Sequence, residues 1–209
     1  MHKEYQKKGK SVRDIASALG CSENKVTYWL QKHQIPKRTI SEAIYLKGNP
    51  KGNPFTFDTP QTREEWFLYG LGLGLYWGEG NKVNKQAVRL GNTDPGVIRT
   101  FLSFLHELFH IDQSRLRFGL QVFSDVDPNK AKRYWCRELQ VSPSSFQKVV
   151  VTKSRKEGTY RSKNLHGVLT IYFSNTKLRD SIVSAIEELQ TTSYAILAQS
   201  VERIHGKSQ

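Results

Sequence analysis

The stretch "YGLGLGLYWGEGNK", Tyr69 to Lys82, sets Gly70, Gly72, Gly74 and Gly78 in an otherwise apolar run that ends on one acid, Glu79. Glycine inside a helix costs about 1 kcal/mol relative to alanine, so the pattern must serve something other than helix formation. At helical spacing Gly70, Gly74 and Gly78 fall four apart and form one bare stripe, along which a second backbone can come close. Leu71, Leu75 and Trp77 flank the stripe and are placed to pack into a partner. If that partner is a second copy of the helix, two Glu79 carboxylates meet near a two-fold axis. Adjacent carboxylates repel unless a divalent cation lies between them, and hard cations such as Mg²⁺ prefer these oxygens. A helix C-terminus is also the wrong end for an anion, by about 0.3–1 kcal/mol, which marks Glu79 as a functional acid.

The rest of the chain points to a polyanionic partner. Its 209 residues carry 32 Lys and Arg against 19 Asp and Glu, a net charge of +13. In a folded, aromatic-rich chain such an excess favours nucleic acid. The charge is shared: residues 1–60 are net +6 and residues 61–209 net +7. No apolar run approaches the roughly 20 residues that span a bilayer, and "MHKEYQKKGK" lacks the apolar core of a signal peptide. The expectation is a cytoplasmic protein without a membrane partner, associated with the nucleoid in a bacterium or archaeon. Cys21 and Cys136 stand in unrelated contexts and supply neither a disulfide framework nor a four-cysteine zinc site.

Residues 1–38 read as a helix-turn-helix module. In "SVRDIASALGCSENKVTYWLQKHQI", Val12, Ile15, Ala16 and Leu19, then Val26, Trp29 and Leu30, recur at helical spacing on either side of Gly20, with Ser22 as N-cap. The second helix offers Asn24, Lys25, Thr27, Tyr28, Gln31 and Lys32, side chains able to reach base edges and phosphates in a major groove. Residues 39–60, rich in Pro and Gly, read as a linker holding one short helix, "SEAIYLK", capped by Ser41. Lys37, Arg38, Lys47 and Lys51 would track a phosphate backbone along it.

Residues 61–209 read as an α+β domain: a helix over 61–78, a short hairpin over 80–92, a helix over 95–110, a strand over 114–124 and a helix over 127–139. Strands over 147–155 and 165–173 follow, then a helix over 176–190 and a last one to about 204. The strand "SRLRFGLQVFSD" turns Leu116, Phe118, Leu120 and Val122 to one face and Arg115, Arg117, Gly119 and Gln121 to the other. "LHGVLTIYFSN" turns Leu165, Gly167, Leu169, Ile171 and Phe173 inward, with His166, Thr170 and Tyr172 outward. Helices on one face and a basic open face on the other make a surface suited to a DNA groove. The loop "KSRKEGTYRSKN" adds Lys153, Arg155, Lys156, Arg161 and Lys163 as phosphate contacts. Trp66, Trp135 and Phe146 read as core. "HELFH", residues 106–110, spells a zinc-protease pattern, but no third ligand is plainly placed, and a polar helix face explains the same letters.

"GLGLYWGEG", residues 72–80, resembles the LAGLIDADG motif of homing endonucleases, with Gly74, Leu75, Gly78, Glu79 and Gly80 matching by position. "VRLGNTDPGVIRTFLSFL", residues 88–105, resembles the strand and second helix that follow it, and Arg89 on that strand reads as a further DNA contact. Trp77 stands where the family often has an acid, and Glu79 replaces the commoner aspartate. The resemblance implies an αββαββα domain with a saddle-shaped antiparallel sheet, here with an extra helix around 127–139. With one motif present, it implies a homodimer joined through Gly70, Leu71, Gly74, Leu75, Trp77 and Gly78 and acting on a roughly palindromic duplex. Paired Glu79, with Gly78 beside it, would hold Mg²⁺ or Mn²⁺ on the scissile phosphates, and a metal-activated water would attack. Lys82, Gln121 and Lys153, chosen by placement, would position water and offset charge. Similar domains in some bacterial regulators bind DNA without cutting it, and that alternative stays open.

Overall fold

The structure, a computed structural model, describes residues 2–154 and 165–205, with side chains described for all of these but Lys7 and 194–205. The chain divides into two compact units, Met1–Pro54 and Phe55–Gln209.

The first unit begins with a π-helical turn, Lys3–Lys7, followed by α1 (Val12–Leu19), α2 (Glu23–Lys32) and α3 (Ile40–Gly48). Each helix has a local start signal. Ser11 and Asp14 form a reciprocal capping box on α1, and the Ser22 hydroxyl accepts from the Lys25 N–H at the head of α2. Gly20, at φ 61°, takes the left-handed conformation that ends α1. The start of α3 differs from the sequence expectation: Thr39, not Ser41, is its cap, because Thr39 and Glu42 complete another capping box and draw Ile40 into the helix. Tyr5, Ile15, Ala16, Val26, Leu30 and Ile35 form the core, whereas Leu19, beside the turn, stays exposed.

Arg38 closes this unit. Its guanidinium donates to the carbonyls of Gly9, Tyr5 and Lys10 and lies 4.0 Å from the centroid of the Tyr5 ring, while its backbone N–H donates to the Tyr5 hydroxyl. The basic run that includes Arg38 suggests phosphate contacts; the fold instead uses its donors to satisfy carbonyls of the N-terminal turn.

In the second unit, α4 (Arg63–Glu79), β1 (Val88–Asn92), α5 (Pro95–Phe109), β2 (Arg117–Phe123), α6 (Pro128–Leu139), β3 (Val150–Thr152), β4 (Val168–Phe173) and α7 (Thr176–His205) follow in order. The sheet order is β1-β4-β2-β3. β4 runs antiparallel to both neighbours, pairing Leu90 with Ile171 and Phe118 with Ile171. The sheet is mixed, not antiparallel throughout: β3 lies parallel to β2, an arrangement that needs a crossover, which α6 supplies. The expected hairpin over 80–92 reduces to a bridge between Gly80 and Leu90 and a bond from the Asn81 N–H to the Arg89 carbonyl. The two helices expected after residue 176 are one. Among the described residues no helix is long and apolar enough to cross a membrane.

Leu116, Phe118, Leu120 and Val122 from β2, and Leu169, Ile171 and Phe173 from β4, meet Phe101, Phe104, Leu105 and Trp135 in one core. Leu165 departs from the expected alternation and is exposed, because β4 begins only at Val168. Gly167, at φ 70°, turns the chain into the sheet so tightly that a Cβ would lie 2.3 Å from the Gln121 carbonyl oxygen. Trp135 is buried and donates from its indole nitrogen to the His166 carbonyl.

Two predictions follow from this packing. Arg38→Ala is expected to destabilise the first unit by about 2 kcal/mol in urea unfolding, and Arg38→Lys to recover only part, since an ammonium lacks the guanidinium fork. The second concerns His166, whose ring stacks on Tyr134 at 3.5 Å. Burial first, then the charge of Arg137, holds its imidazole below its ordinary pKa. The unfolded chain therefore takes up that proton at higher pH than the folded chain. The stability contribution is full above the ordinary imidazole range of about 6.5 and is lost as pH falls through the folded value. His166→Phe, which keeps a stacked ring, is expected to reduce the loss of unfolding midpoint between about pH 8 and about pH 5.

Candidate nucleic-acid interface and acidic centre

α4 is apolar on both sides, and its glycines divide accordingly. Thr62 and Glu65 cap it with a reciprocal box. Gly72, Leu73 and Tyr76 face the core. At Gly72 an added Cβ would lie 2.2 Å from Phe104, and at Gly80, just past the helix, 2.3 Å from the Tyr76 carbonyl oxygen. Around Gly70, Gly74 and Gly78 nothing lies within 4 Å of an added Cβ. This outer side also carries Phe67 (70% exposed), Trp66 (53%), Trp77 (51%) and Leu71 (40%). Trp66, read as core from the sequence, is thus at the surface, with its ring edge against Tyr69. Trp135 and Phe146 are buried as expected. Leu75, grouped in the sequence with the outer side, packs against the core.

Glu79 is the last residue of α4 and is exposed. Lys82 folds back so that its ammonium donates to the Trp77 carbonyl, and its own carbonyl accepts from Arg179 at 2.7 Å. A cation is thereby held at the end of the helix that carries the acid. Among the described residues no three His, Cys, Asp or Glu side chains are grouped to hold a metal. The oxygen of Glu79 suits a hard cation such as Mg²⁺ or Mn²⁺, but the described residues of one chain group too few such donors around it.

The open face of the sheet carries a row of cations around an aromatic. Tyr172 pairs with Arg89 across β1–β4 and with Arg117 across β2–β4. The Arg89 guanidinium carbon lies 5.1 Å from the Tyr172 ring centroid. The ring lies over Gly119, where a Cβ would come within 2.7 Å of it. Sequence alternation pointed Tyr172 outward but did not single it out; cross-strand register is what places it between two arginines. Gln121 donates to the Thr152 hydroxyl at 2.9 Å on this face. Arg117 bends back onto the carbonyls of Ser114 and Leu116, and Arg115 sits on a 3-10 turn, Gln113–Arg115, rather than in the strand. Lys153 is exposed just past β3. Arg155, Lys156, Arg161 and Lys163 lie outside the described residues.

In the first unit Asn24, Lys25, Tyr28, Gln31 and Lys32 lie exposed on α2, with Thr27 half-buried. The Lys32 ammonium stands 4.8 Å over the Trp29 ring, which stacks on His33. Lys37, Lys47 and Lys51 are exposed as well. The two histidines of "HELFH" part company. His106 donates from Nδ1 to the Ile111 carbonyl, whereas His110 lies beyond the helix at φ 47° and pairs with Asp58 at 2.8 Å. They do not share the helix face a zinc site would need.

The division of the glycines predicts opposite effects for the same substitution. Gly72→Ala is expected to cost about 1–3 kcal/mol through overpacking against Phe104. Gly74→Ala, measured on the monomer at low protein concentration, is expected to raise stability by up to about 1 kcal/mol through helix propensity. Chemical denaturation of both variants checks the pair.

No protein-family model matches the chain, and neither a curated protein nor a solved structure matches it.

Proposed function

We propose that the chain binds duplex DNA as a homodimer formed across the outer side of α4 and cleaves phosphodiester bonds with a divalent metal held between paired Glu79 residues. The observation that carries this reading is the outer side itself: bare glycines among exposed Trp66, Phe67, Leu71 and Trp77, leading to an exposed acid. A helix that is apolar all round calls for a covering surface on each side, and a second α4 has the complementary shape. A two-fold pairing there brings a second carboxylate to the first and supplies part of the donor set that one chain lacks. The resemblance of residues 72–80 to LAGLIDADG supports the same assignment.

Each protein group then has a role. Glu79 would hold the metal, whose chemistry there would be water activation and stabilisation of the leaving oxygen. Lys82, at the end of α4, offsets phosphate charge. Gln121 and Lys153, at the β2–β3 edge, orient water or phosphate. In the second unit Arg89, Tyr172 and Arg117 contact DNA from the sheet; in the first unit, taken by itself, Asn24, Lys25, Tyr28 and Gln31 are the contacts on α2. A second reading, a sequence-specific binder that does not cut, is favoured by one observation: Glu79 is not joined by other ligating side chains in a group of three among the described residues.

The test is a selection from a randomised duplex library with Mg²⁺ or Mn²⁺. The parent chain is expected to cut and Glu79→Gln to bind without cutting, whereas bound but uncut duplexes from both would establish the binder. Gly74→Leu is expected to lower the sedimentation coefficient from dimer to monomer; an unchanged value would overturn pairing through α4.

A further inference from the structure

α6 is basic on the side that the core does not use. Ala131, Trp135 and Leu139 bury its inner side in the same core as Leu116, Phe118, Leu120 and Val122. The outer side carries the exposed Lys130, Arg133 and Arg137, and half-buried Lys132 lies at its flank with its ammonium 5.5 Å from the centroid of the Phe146 ring. Among the described residues none of these four cations has a salt-bridge partner. Glu138 is taken by Arg99, and Asp127 accepts from the backbone N–H groups of Asn129 and Lys130 as the helix cap. A groove of about 540 Å³ opens between the helix and Pro143, lined by Asn129, Lys132, Arg133, Cys136 and Arg137.

The composition of the groove selects its occupant. No large exposed apolar side chain lines it, so it lacks the anchor that a protein partner uses. The nearby Tyr134 ring is already stacked on His166 and is not free to receive an unpaired base. What remains is a row of cations for phosphates, read without regard to sequence. The open face, with Arg117 and Gln121, lies on the other side of β2 from Phe118 and Leu120, against which α6 packs. A duplex laid on that face leaves α6 uncovered.

We propose that the outer side of α6 binds the phosphate backbone of a second duplex-DNA segment, separate from the one on the open face of the sheet. The identity of the polyanion rests on the DNA reading above; the charge and position of the surface do not.

Acetylation of lysines in the full chain, read by mass spectrometry while a mixed-sequence duplex is titrated in, tests this. Lys130 and Lys132 are expected to lose most of their reactivity only when duplex is in excess, after Lys25 and Lys82 are already protected. In Arg133→Ala/Arg137→Ala, whose replaced side chains are exposed and whose fold is checked by circular dichroism, Lys130 and Lys132 are expected to regain reactivity while Lys25 and Lys82 stay protected. The salt dependence of the weaker binding phase is expected to flatten by about two units of slope, one per lost phosphate contact. Lys130 and Lys132 remaining reactive beside protected Lys25 and Lys82 would overturn this proposal and leave the DNA reading standing. Protection unchanged in the double variant, or given by single-stranded RNA but not by duplex, would overturn it as well. No protection at any lysine would overturn both.

Discussion

Phe104 occupies the place where a side chain of Gly72 would be. That contact sets how closely α4 lies on α5, and much of the second unit depends on it. With Tyr76 stacked on Phe101 and Leu73 buried beside them, the inner half of α4 is committed to the core. The helix is apolar all round, so its outer half is left over. A bare backbone at Gly70, Gly74 and Gly78, bordered by tryptophan, phenylalanine and leucine, is costly to leave in water. The same helix is thus a wall of the core on one side and an exposed apolar surface on the other, and it ends at the exposed acid Glu79.

The sheet repeats this economy of space. Gly119 makes room for the Tyr172 ring, and the ring in turn supports the Arg89 guanidinium. Gly167 lets β4 enter against the Gln121 carbonyl. The bulk on the open face is therefore concentrated in a few aromatic and cationic side chains. The helical side is different: α6 contributes Trp135 to the core and turns Lys130, Arg133 and Arg137 outward. Positive charge consequently lies on two surfaces of one unit that face away from each other, which a tally of basic residues does not reveal.

In the first unit the sequence carries a cation in a role that charge alone obscures. Arg38 sits in a basic run with Lys37, and the run suggests phosphate contacts. Its two terminal nitrogens supply what the N-terminal turn requires, because the carbonyls of Tyr5, Gly9 and Lys10 lie outside regular helix pairing and need partners. Lys37 is left exposed next to it.

The helices of both units were legible in the chain because their signals are local. A capping serine or threonine, an acid three residues on, a glycine at the end and apolar residues three and four apart are all read within a dozen positions, and the structure places helices at nearly those bounds. Alternation likewise identified the inward faces of β2 and β4, since side chains must leave a strand on alternate sides. What the sequence could not assign depended on residues far apart in the chain. Whether a glycine is crowded or bare depends on Phe104, thirty or so positions from either kind. Whether β3 runs parallel depends on the crossover through α6. Whether Trp66 is inside or outside, and whether His106 and His110 share a face, depends on where a helix ends and what packs against it. The apolar run marks α4 as a helix despite its glycines; only tertiary contact decides that Gly72 is its inside and Gly74 its outside, because two atoms cannot occupy the same space.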